Sequence, residues 1–547
     1  MSDLQNMAKQ VQERAAALEV PEERQPLDPK YVGQCLAANE RGDGCLFASI
    51  HGDNFLFNVT PKDGQWRRWN GRVWEIDDQG LVFSSVEDVA LEYESKKKTI
   101  DELIEKADPD DENELKRLDK IKDAYTKRVN RLRSKGGAEK TLFWAPIVAP
   151  DMVARESDFD RNPWLLPVKN GVIDLRTGAL TQGRPEDRLT RALDIDYDPH
   201  AKCELWEQHF LPEITCDLEN GERTMTEFLA RVFGYALTGL TTEQHIFVFT
   251  GPGRNGKGVL FEIISGILGP YYHLVNRGMI LQQRNEPSPS QTSEHLVSLL
   301  GKRLAVASET NEGQKIDGAG IKALTGGDDI TARPLFSREI TFAPTHKLFL
   351  QTNHLPHGLT KDFALVQRLL KIDFPYRYVN DPEAEAQKNP LMSKWFRQRD
   401  PELKKKLQEE IPGILAWLVR GCLQWQEQGL SPPSSVLASV EEHAKDEDWF
   451  GQFFAECLNA HVQNGHVDPA YKTSAAELHD ALKWWWSINR DAREDRVPTK
   501  NTLGRKFSEA GYEVDRSNNK KPRLGVTLKY DIIDHVDDYI NSKKGAK

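Results

Sequence analysis

The chain has 547 residues, a length that predicts three or four domains rather than one. Apolar residues make up 39% of it and charged residues 29%, which is enough apolar material for several cores. The net charge of −11 excludes a protein whose whole surface is basic, so any contact with nucleic acid must lie in a small lined site. No apolar run approaches the roughly 18–20 residues that span a bilayer, and the N-terminus lacks the apolar core of a secretion signal.

The six cysteines show no CxxC spacing and no histidine at ligand spacing. They are Cys35, Cys45, Cys203, Cys216, Cys422 and Cys457. This scatter favours free thiols in a reducing compartment over a metal site. We therefore expect a cytoplasmic protein, and the lack of an apolar span predicts no membrane partner.

The N-terminal half predicts alternating helical and strand segments. In residues 1–60, a helix is followed by ERGDGCLFASIHGDNFLFNV, whose alternating apolar residues between glycines predict short strands. WRRWNGRVWEIDD predicts a compact β unit. Residues 86–136 carry Leu and Ile at helical spacing among opposite charges, with a break at Asp108–Pro109–Asp110. These charges indicate a solvated helical face, and a DNA contact by the lysines is the alternative.

Residues 245–375 alternate short apolar strands with helices, which predicts an α/β core. The apolar run HIFVFT is followed by GPGRNGKG and then by the helical VLFEIISGIL, so Gly251, Gly256 and Lys257 have the GxxxxGK spacing of a phosphate loop. In such a loop, backbone N–H groups and a helix N-terminus surround the phosphates while the lysine reaches the β/γ-phosphates. The alternative is a glycine-rich βα turn. The predicted nucleotide-binding residues are Gly251, Pro252, Gly253, Arg254, Asn255, Gly256, Lys257, Gly258 and Val259.

Catalytic partners for such a loop follow along the chain. The strand Leu304–Ala307 leads through Ser308 to Glu309, which we predict to polarise the attacking water and bind Mg²⁺, unless it is a surface glutamate. Glu312 is a weaker candidate at the same strand end. HKLFLQTN predicts a strand ending at Asn353, suited to positioning water or sensing the γ-phosphate, or else to capping a turn.

Arg368 stands shortly before another predicted strand, in DFALVQRLLKIDFP. In a ring assembly such an arginine would reach the neighbouring subunit's nucleotide and stabilise transition-state charge. A surface or ion-pair role is the alternative. Upstream of it, ITARPLF and REITFAP predict two strands around a basic, aromatic tip.

Four segments resemble superfamily 3 DNA helicases in their order and spacing. They are GPGRNGKG, RLAVASET, LTGGDDITARPLFSREITFAPTHKLFLQTN and LVQRLLKIDFP. More narrowly, they resemble the phage/plasmid primase–helicase family and its relatives in large DNA viruses. NPWLLPVKNGVIDLRTG and DIDYDPHA resemble the family's N-terminal segment, so the resemblance covers roughly residues 60–430. It implies an AAA+-like ATPase that uses ATP and Mg²⁺, assembles as a hexameric ring and moves 3′ to 5′ along single-stranded DNA.

The resemblance also assigns roles to individual residues. It matches Lys257 to the phosphate-binding lysine, Glu309 to the Walker B acid, Asn353 to the sensor and Arg368 to the arginine finger. The segment between acid and sensor matches a hairpin that projects into the channel, where a cation and an aromatic hold phosphates and stack on bases. The DNA-contact candidates there are Arg333, Phe336 and Arg338, with Lys322 nearby. Two positions depart from the family pattern, and both concern Mg²⁺: Gly258 replaces the usual Ser or Thr, and Ser308 stands where many relatives have a second acid.

The two ends of the chain carry weaker signals. About 60 residues precede the family-like segment, and they contain no DxD on a strand. Asp108–Glu112 is better explained as a helix break, so we predict no primase activity.

After the GLSPPSS segment, two helices and a hairpin follow in an order that resembles a winged helix, with Thr499 capping the second helix. Its DNA-contact candidates are Arg505, Lys506, Lys520, Lys521 and Arg523, and protein docking is the alternative. Trp484–Trp486 are expected to anchor its core.

Together these features predict a multidomain α/β protein with a mixed α+β N-terminal region, an AAA+-like P-loop ATPase core and a C-terminal winged-helix domain. The expected divisions are an extension (1–60), a family-like N-terminal domain (61–203), an oligomerisation collar (204–240), the ATPase domain with a helical tail (241–430), a linker (431–445) and the winged helix (446–547). The predicted function is ATP-dependent unwinding of forked DNA in phage, plasmid or mobile-element replication, beside a separate primase or initiator protein. The alternatives are an initiator or loader ring and a monomeric P-loop phosphotransferase.

Overall fold

The computed structural model describes residues 27–60, 64–217, 223–282, 293–308, 316–333, 339–353, 363–463, 466–489, 497–515 and 522–545. Within these ranges no helix is long and apolar enough to cross a membrane. All six cysteines lie in the described part of the chain, and none forms a disulfide.

The first unit packs helices against a small sheet of order β3-β2-β1-β4. Its strands are β1 (Phe55–Asn58), β2 (Gln65–Trp69), β3 (Trp74–Ile76) and β4 (Val153–Ala154). Its helices are α1 (Pro29–Ala37), α2 (Asn39–His51), α3 (Leu81–Ser84), α4 (Val86–Lys106), α5 (Glu112–Leu132) and α6 (Lys135–Val148). The antiparallel pairing of β2 with β3 confirms the predicted β unit, and the gap between α4 and α5 confirms the predicted helix break.

The prediction of short strands throughout ERGDGCLFASIHGDNFLFNV is wrong, because most of this segment forms the helix α2 and only its end forms the strand β1. The glycines permit close helix packing instead of marking turns. A Cβ at Gly42 would lie 1.9 Å from the carbonyl oxygen of Cys35, and one at Gly44 would lie 2.7 Å from Cβ of Trp144. Asp43 is buried between them and binds Arg128 of α5 at 2.6 Å, which ties α2 to the charged helical hairpin.

The middle of the chain leads into the large sheet through a three-stranded antiparallel sheet and a helical segment. The strands are β5 (Leu165–Val168), β6 (Gly171–Asp174) and β7 (Ala179–Thr181). A π-helix (Leu205–Phe210) then runs into α7 (Leu211–Ile214), and α8 (Thr224–Leu237) follows.

A five-stranded parallel sheet of order β14-β8-β13-β10-β9 forms the centre of the fold. The strands are β8 (Ile246–Thr250), β9 (Tyr272–Val275), β10 (Leu304–Ser308), β13 (Lys347–Gln351) and β14 (Leu369–Asp373). The intervening helices are α9 (Lys257–Leu268), α10 (Glu294–Val297), α11 (Gly318–Thr325) and α12 (Phe363–Val366). Alternate strand residues face two separate buried clusters, as expected for a sheet covered on both sides.

The two strands predicted between the acid and the sensor form an antiparallel pair, β11 (Ile330–Ala332) and β12 (Ile340–Phe342). After β14 come β15 (Arg377–Val379), α13 (Pro382–Lys388), β16 (Phe396–Gln398), α14 (Leu403–Glu409) and α15 (Ile411–Gln428). The last two helices confirm the predicted helical tail, and Gly421 of α15 approaches Ala230 of α8 so closely that a Cβ would lie 2.0 Å from its carbonyl oxygen.

The segment predicted as a linker, 431–445, is mostly helical, because α16 (Ser434–Glu447) begins directly after the prolines and packs on β14. The C-terminal region contains α17 (Trp449–Cys457), β17 (Leu458–Ala460), β18 (Val462–Gln463), β19 (His466–Val467), β20 (Lys472–Thr473), α18 (Ala475–Asn489), α19 (Lys500–Glu509), β21 (Arg523–Leu524), β22 (Val526–Leu528) and α20 (Tyr530–Gly545). Thr499 caps α19 as predicted, and Trp485 is buried at the centre of this region. The final helix, α20, was not among the predicted elements.

Candidate functional site

The glycine-rich loop 251–256 joins β8 to α9 at the carboxyl edge of the parallel sheet. Gly251 has a φ of 141° and Gly256 a φ of 89°, conformations that L-residues rarely adopt. The loop is also held closely from two sides. A Cβ at Gly251 would lie 2.1 Å from the carbonyl oxygen of Phe374, and one at Gly256 would lie 2.7 Å from Cγ2 of Ile214. Both glycines are therefore required by backbone conformation and by packing.

Lys257 begins α9 and is 3% exposed. Its Nζ donates to the Gly251 carbonyl at 2.8 Å and lies 3.4 Å from Oδ1 of Asn353. Burial lowers the pKa of this lysine to about 8, although the Asp373 carboxylate acts in the opposite direction. A buried cation whose hydrogen-bond acceptors are neutral oxygens is suited to receive an anion. The structure therefore brings Lys257 and Asn353 together at the helix N-terminus, as the sequence order suggested.

The neighbouring strand ends complete this edge. Ser308, the last residue of β10, pairs in register with Gln351 of β13, which puts the end of β10 beside the strand that leads to Asn353. Glu309 and Glu312 lie outside the described residues. Within the described part of the chain no group of three or more His, Cys, Asp or Glu side chains is placed to hold a metal ion.

Arg368 lies at the opposite, amino edge of the sheet. The carbonyl of Arg368 accepts from the N–H of Ile246, the first residue of β8. The glycine-rich loop follows the other end of β8, so the five residues of this strand, about 16 Å in length, separate Arg368 from the loop of its own chain. Its Nη1 donates to the Lys322 carbonyl and to Oγ1 of Thr325, each at 3.0 Å, at the C-terminal end of α11. The structure therefore does not bring Arg368 to the loop within one chain.

The other predicted DNA contacts have different settings. Arg333 is exposed at the end of β11, whereas Phe336 and Arg338 at the tip, and Lys520 and Lys521 in the C-terminal region, lie outside the described residues. Arg505 is exposed on α19, and Lys506 pairs with Glu509 at 2.7 Å.

The prediction that Arg523 lies on an exposed wing does not fit the structure. Its side chain turns inward and is only 7% exposed. Its guanidinium donates to Oγ of Ser508 at 2.8 Å and to the carbonyls of Tyr512 and Gly504. Since β21 pairs with both β20 and Val514, Arg523 lies inside the small β layer, where it holds α19 in place.

Asn255, one of the predicted nucleotide-binding residues, is 3% exposed and donates to the Phe374 carbonyl at 3.1 Å, which fixes the loop to the end of β14. Two polar residues next to the loop were missed: Asp373 accepts from the hydroxyl of Thr250, the last residue of β8. The proximity of Asp373 depends on β14 being the neighbour of β8, and the linear sequence does not reveal that.

Comparison with known proteins gives two family matches. Residues 45–216 match the family described as D5 N terminal like, and residues 249–368 match a family of unknown function, DUF5906. A protein named "Putative helicase L207/L206" from Acanthamoeba polyphaga mimivirus is 26% identical over 85% of this chain and 50% of its own length. A protein named "Putative helicase 022R" from Frog virus 3 is 25% identical over 82% of this chain and 55% of its own length. The match to the D5 N terminal like family and the similarity to these relatives support a phage or viral primase–helicase family protein.

A further relative has a different name. "Putative primase C962R" of African swine fever virus is 22% identical over 60% of this chain and 34% of its own length. This chain thus spans about half the length of the mimivirus and Frog virus 3 relatives. Among solved structures, the apo C-terminal region of NrS-1 (305–718) matches with a TM-score of 0.34 and 9% identity, over 64% of this chain and 70% of that one.

Proposed function

We propose that the chain is an ATP-dependent DNA helicase that functions in replication of a phage, plasmid or other mobile element. The observation that carries the proposal is Lys257, a buried cation held by neutral oxygens at the end of a loop whose first and last glycines, Gly251 and Gly256, cannot be replaced without collision. The strand order of the parallel sheet supports an AAA+-like P-loop core, because the loop strand β8 lies between β14 and the sensor strand β13.

In this proposal ATP binds at the carboxyl edge of the sheet, and Asn353 positions water or senses the γ-phosphate. Mg²⁺ would be bound by the phosphates and by Glu309, while Gly258 supplies no hydroxyl and leaves that coordination position to water. The metal would offset phosphate charge and orient the attacking water. Lys257 contributes a positive charge. Folding has already removed this charge from water, and a bound phosphate would compensate it.

Arg368 supports a shared site. It lies at the amino edge of the sheet, about 16 Å from its own loop, so it would contribute to hydrolysis only across an interface between subunits. A hexameric ring would repeat this interface and close on itself. We propose that such a ring moves 3′ to 5′ along single-stranded DNA, with Arg333, Phe336 and Arg338 of each β11–β12 hairpin lining the channel.

Subunit mixing tests this arrangement. Lys257→Ala should abolish DNA-stimulated ATPase activity and ATP binding, and Arg368→Ala should abolish hydrolysis while leaving ATP binding largely intact. When the two variants are mixed in equal amounts, about one interface in four combines an intact lysine with an intact arginine, so part of the activity should return. Arg161→Ala, which replaces an arginine that is 70% exposed and far along the chain from these residues, is the matched control.

Three outcomes would contradict the proposal. Full activity of Arg368→Ala would exclude the shared site, and a monomeric mass with ATP would favour a P-loop phosphotransferase. A ring that hydrolyses ATP and melts duplex DNA, yet fails to displace a strand from forked DNA with a 3′ tail, would indicate the initiator or loader function instead. Removal of the C-terminal region in the same assay would show whether Arg505 and Lys506 contribute to DNA binding.

A further inference from the structure

A cavity of about 480 Å³ opens in the C-terminal region, between the start of α18, one side of α19 and the strand β21. Pockets that hold drug-sized ligands measure roughly 300–1,000 Å³, so this cavity has room for one or two side chains of a partner molecule. Among the described residues, its lining includes none from the glycine-rich loop and none from the sheet edge that carries Arg368. The cavity is therefore separate from the candidate nucleotide site.

The floor of the cavity is apolar. Leu478 of α18 and Leu503 and Phe507 of α19 form it, and each of these side chains is at most 2% exposed because it also belongs to the core of this region. Val514 adds apolar surface at the side. A concave apolar floor stabilises an apolar side chain that leaves water, whereas a phosphate or sugar placed on it would lose its hydrogen bonds to water without replacement. The cavity therefore suits a ligand that carries an apolar group.

The rim of the cavity is basic. Lys500 and Arg505 are exposed there on α19, and the Arg505 guanidinium lies 3.6 Å from the Glu509 carboxylate, too far for a strong ion pair. Arg523 adds a third positive charge at the wall, where Ser508 and two backbone carbonyls hold its guanidinium. None of the lining residues in the described part of the chain is acidic. In a chain with a net charge of −11, this local excess of positive charge suits an anionic partner.

DNA and an acidic peptide both carry negative charge, but the cavity favours the peptide. A DNA backbone would lie along the exposed face of α19, where Glu509 binds Lys506 at 2.7 Å and also lies beside Arg505. This carboxylate, which does not line the cavity, would repel phosphates on that face. The DNA backbone also has no apolar group to place on the cavity floor. An acidic peptide can supply both an apolar side chain for the floor and carboxylates for the rim.

We propose that this cavity is a docking site for an acidic peptide segment of a partner protein. An apolar side chain of the segment enters the cavity, and flanking carboxylates bind Lys500 and Arg505 at the rim. In this arrangement α19 serves contact with protein rather than contact with DNA. The inference goes beyond the proposed function, because nothing in it requires a nucleotide. Lys257→Ala should therefore leave peptide binding unchanged, so failure of the nucleotide site and failure of the docking site are distinguishable.

Selection from a random peptide library displayed on phage, with the unmodified full chain as the target, tests the chemistry and the location. Peptides that combine two or more Asp or Glu residues with an adjacent Leu, Ile, Phe or Trp should be enriched. Ala475→Trp should no longer retain them, because the indole would fill the cavity from the first turn of α18. Ala476→Trp is the matched control, since this neighbouring residue is exposed and does not line the cavity. Failure to enrich acidic and apolar peptides, or equal retention by the two tryptophan variants, would overturn the proposal.

Fluorescence anisotropy with a fluorescein-labelled synthetic copy of the most enriched peptide tests the rim. The double variant Lys500→Glu, Arg505→Glu changes only exposed side chains, so it tests the charges without altering the packing of the cavity. It should weaken binding about tenfold, and it should bind a copy of the peptide with Lys in place of each acid better than the wild type does. Lys506→Glu, on the same helix outside the cavity lining, should change the affinity by about twofold at most. Equal affinities of the double variant and the wild type would overturn the role of the rim.

Labelled single-stranded and duplex oligonucleotides test the DNA alternative in the same assay. Ala475→Trp should bind both as the wild type does, because the cavity is not their site. If this variant instead loses DNA binding while the wild type retains no acidic peptide, the cavity is part of a DNA-binding surface and the proposal is wrong.

Discussion

Raising the pH above 8 is expected to weaken nucleotide binding through Lys257. Burial lowers the pKa of this lysine to about 8 in the free protein, against the opposing effect of Asp373. A polyphosphate on the loop would restore the pKa towards its ordinary value of about 10.4, because a nearby opposite charge favours the protonated amine. The free protein would then lose this proton at a lower pH than the complex does.

The size of the effect follows from this difference. Below pH 8, Lys257 is protonated in both states and contributes a constant amount to the affinity. Above pH 8, binding requires uptake of a proton, so the association constant should fall by nearly tenfold, about 1.4 kcal/mol, for each pH unit up to about pH 10. Proton uptake on binding should be about half a proton at pH 8 and nearly one proton above pH 9.

Isothermal titration calorimetry with ADP provides the measurement, because its phosphates are fully ionised in this range and cannot contribute the effect. Titrations at pH 7, 8 and 9 in buffers of different ionisation enthalpy give both the affinity and the proton uptake. Lys257→Arg is the control, since its guanidinium stays charged throughout and should give a flat profile. Equal wild-type affinities at pH 7 and pH 9 would refute the reasoning, as would the same decline in the arginine variant.

Three substitutions elsewhere test the packing and the Arg368 contact. Gly42→Ala should destabilise the N-terminal unit by about 3 kcal/mol in chemical denaturation, because its Cβ would collide with backbone, whereas Gly33→Ala, where nothing lies within 4 Å, should not. Asp43→Ala should cost about 3–5 kcal/mol in the same assay, since it leaves a buried guanidinium without its partner; a loss below 1 kcal/mol would contradict this. Thr325→Val should lower ATP turnover with little change in ATP affinity by removing the hydroxyl that holds Arg368, and Thr325→Ser should restore turnover; equal rates in the two variants would argue against it.

The features that the sequence predicted well are those encoded locally. The loop, its glycines and Lys257 lie within one continuous motif, and Asn353 follows an apolar strand, so chain order alone indicates that both lie at the carboxyl edge of the sheet. The break between α4 and α5 is equally local, because Pro109 and its aspartates interrupt the helical spacing. Short-range spacing was therefore sufficient for the centre of the candidate site.

The errors arise where long-range packing decides. Gly42 and Gly44 interrupt an apolar pattern in the same way whether they mark turns or permit close helix contact, and only the position of Cys35 and Trp144 distinguishes the two. Likewise, Arg523 is a basic residue in a polar segment, and its inward orientation follows from the pairing of β21 with β20. The linker was predicted from its prolines, although the residues after them form a helix that contacts β14.

The sheet also explains how an acidic chain would bind DNA under the proposed function. Each subunit would present its carboxyl edge to its own nucleotide and its amino edge, with Arg368, to its neighbour's. Because the Arg368 guanidinium binds the Lys322 carbonyl and Thr325, it is attached to the helix that leads directly into β11 and the hairpin residue Arg333. Any shift of Arg368 towards a neighbouring γ-phosphate would, through these contacts, pull on this helix and so move the base of the hairpin. Contact with DNA could then be confined to the channel, where a few arginines repeated around a ring suffice despite a net charge of −11 on each chain.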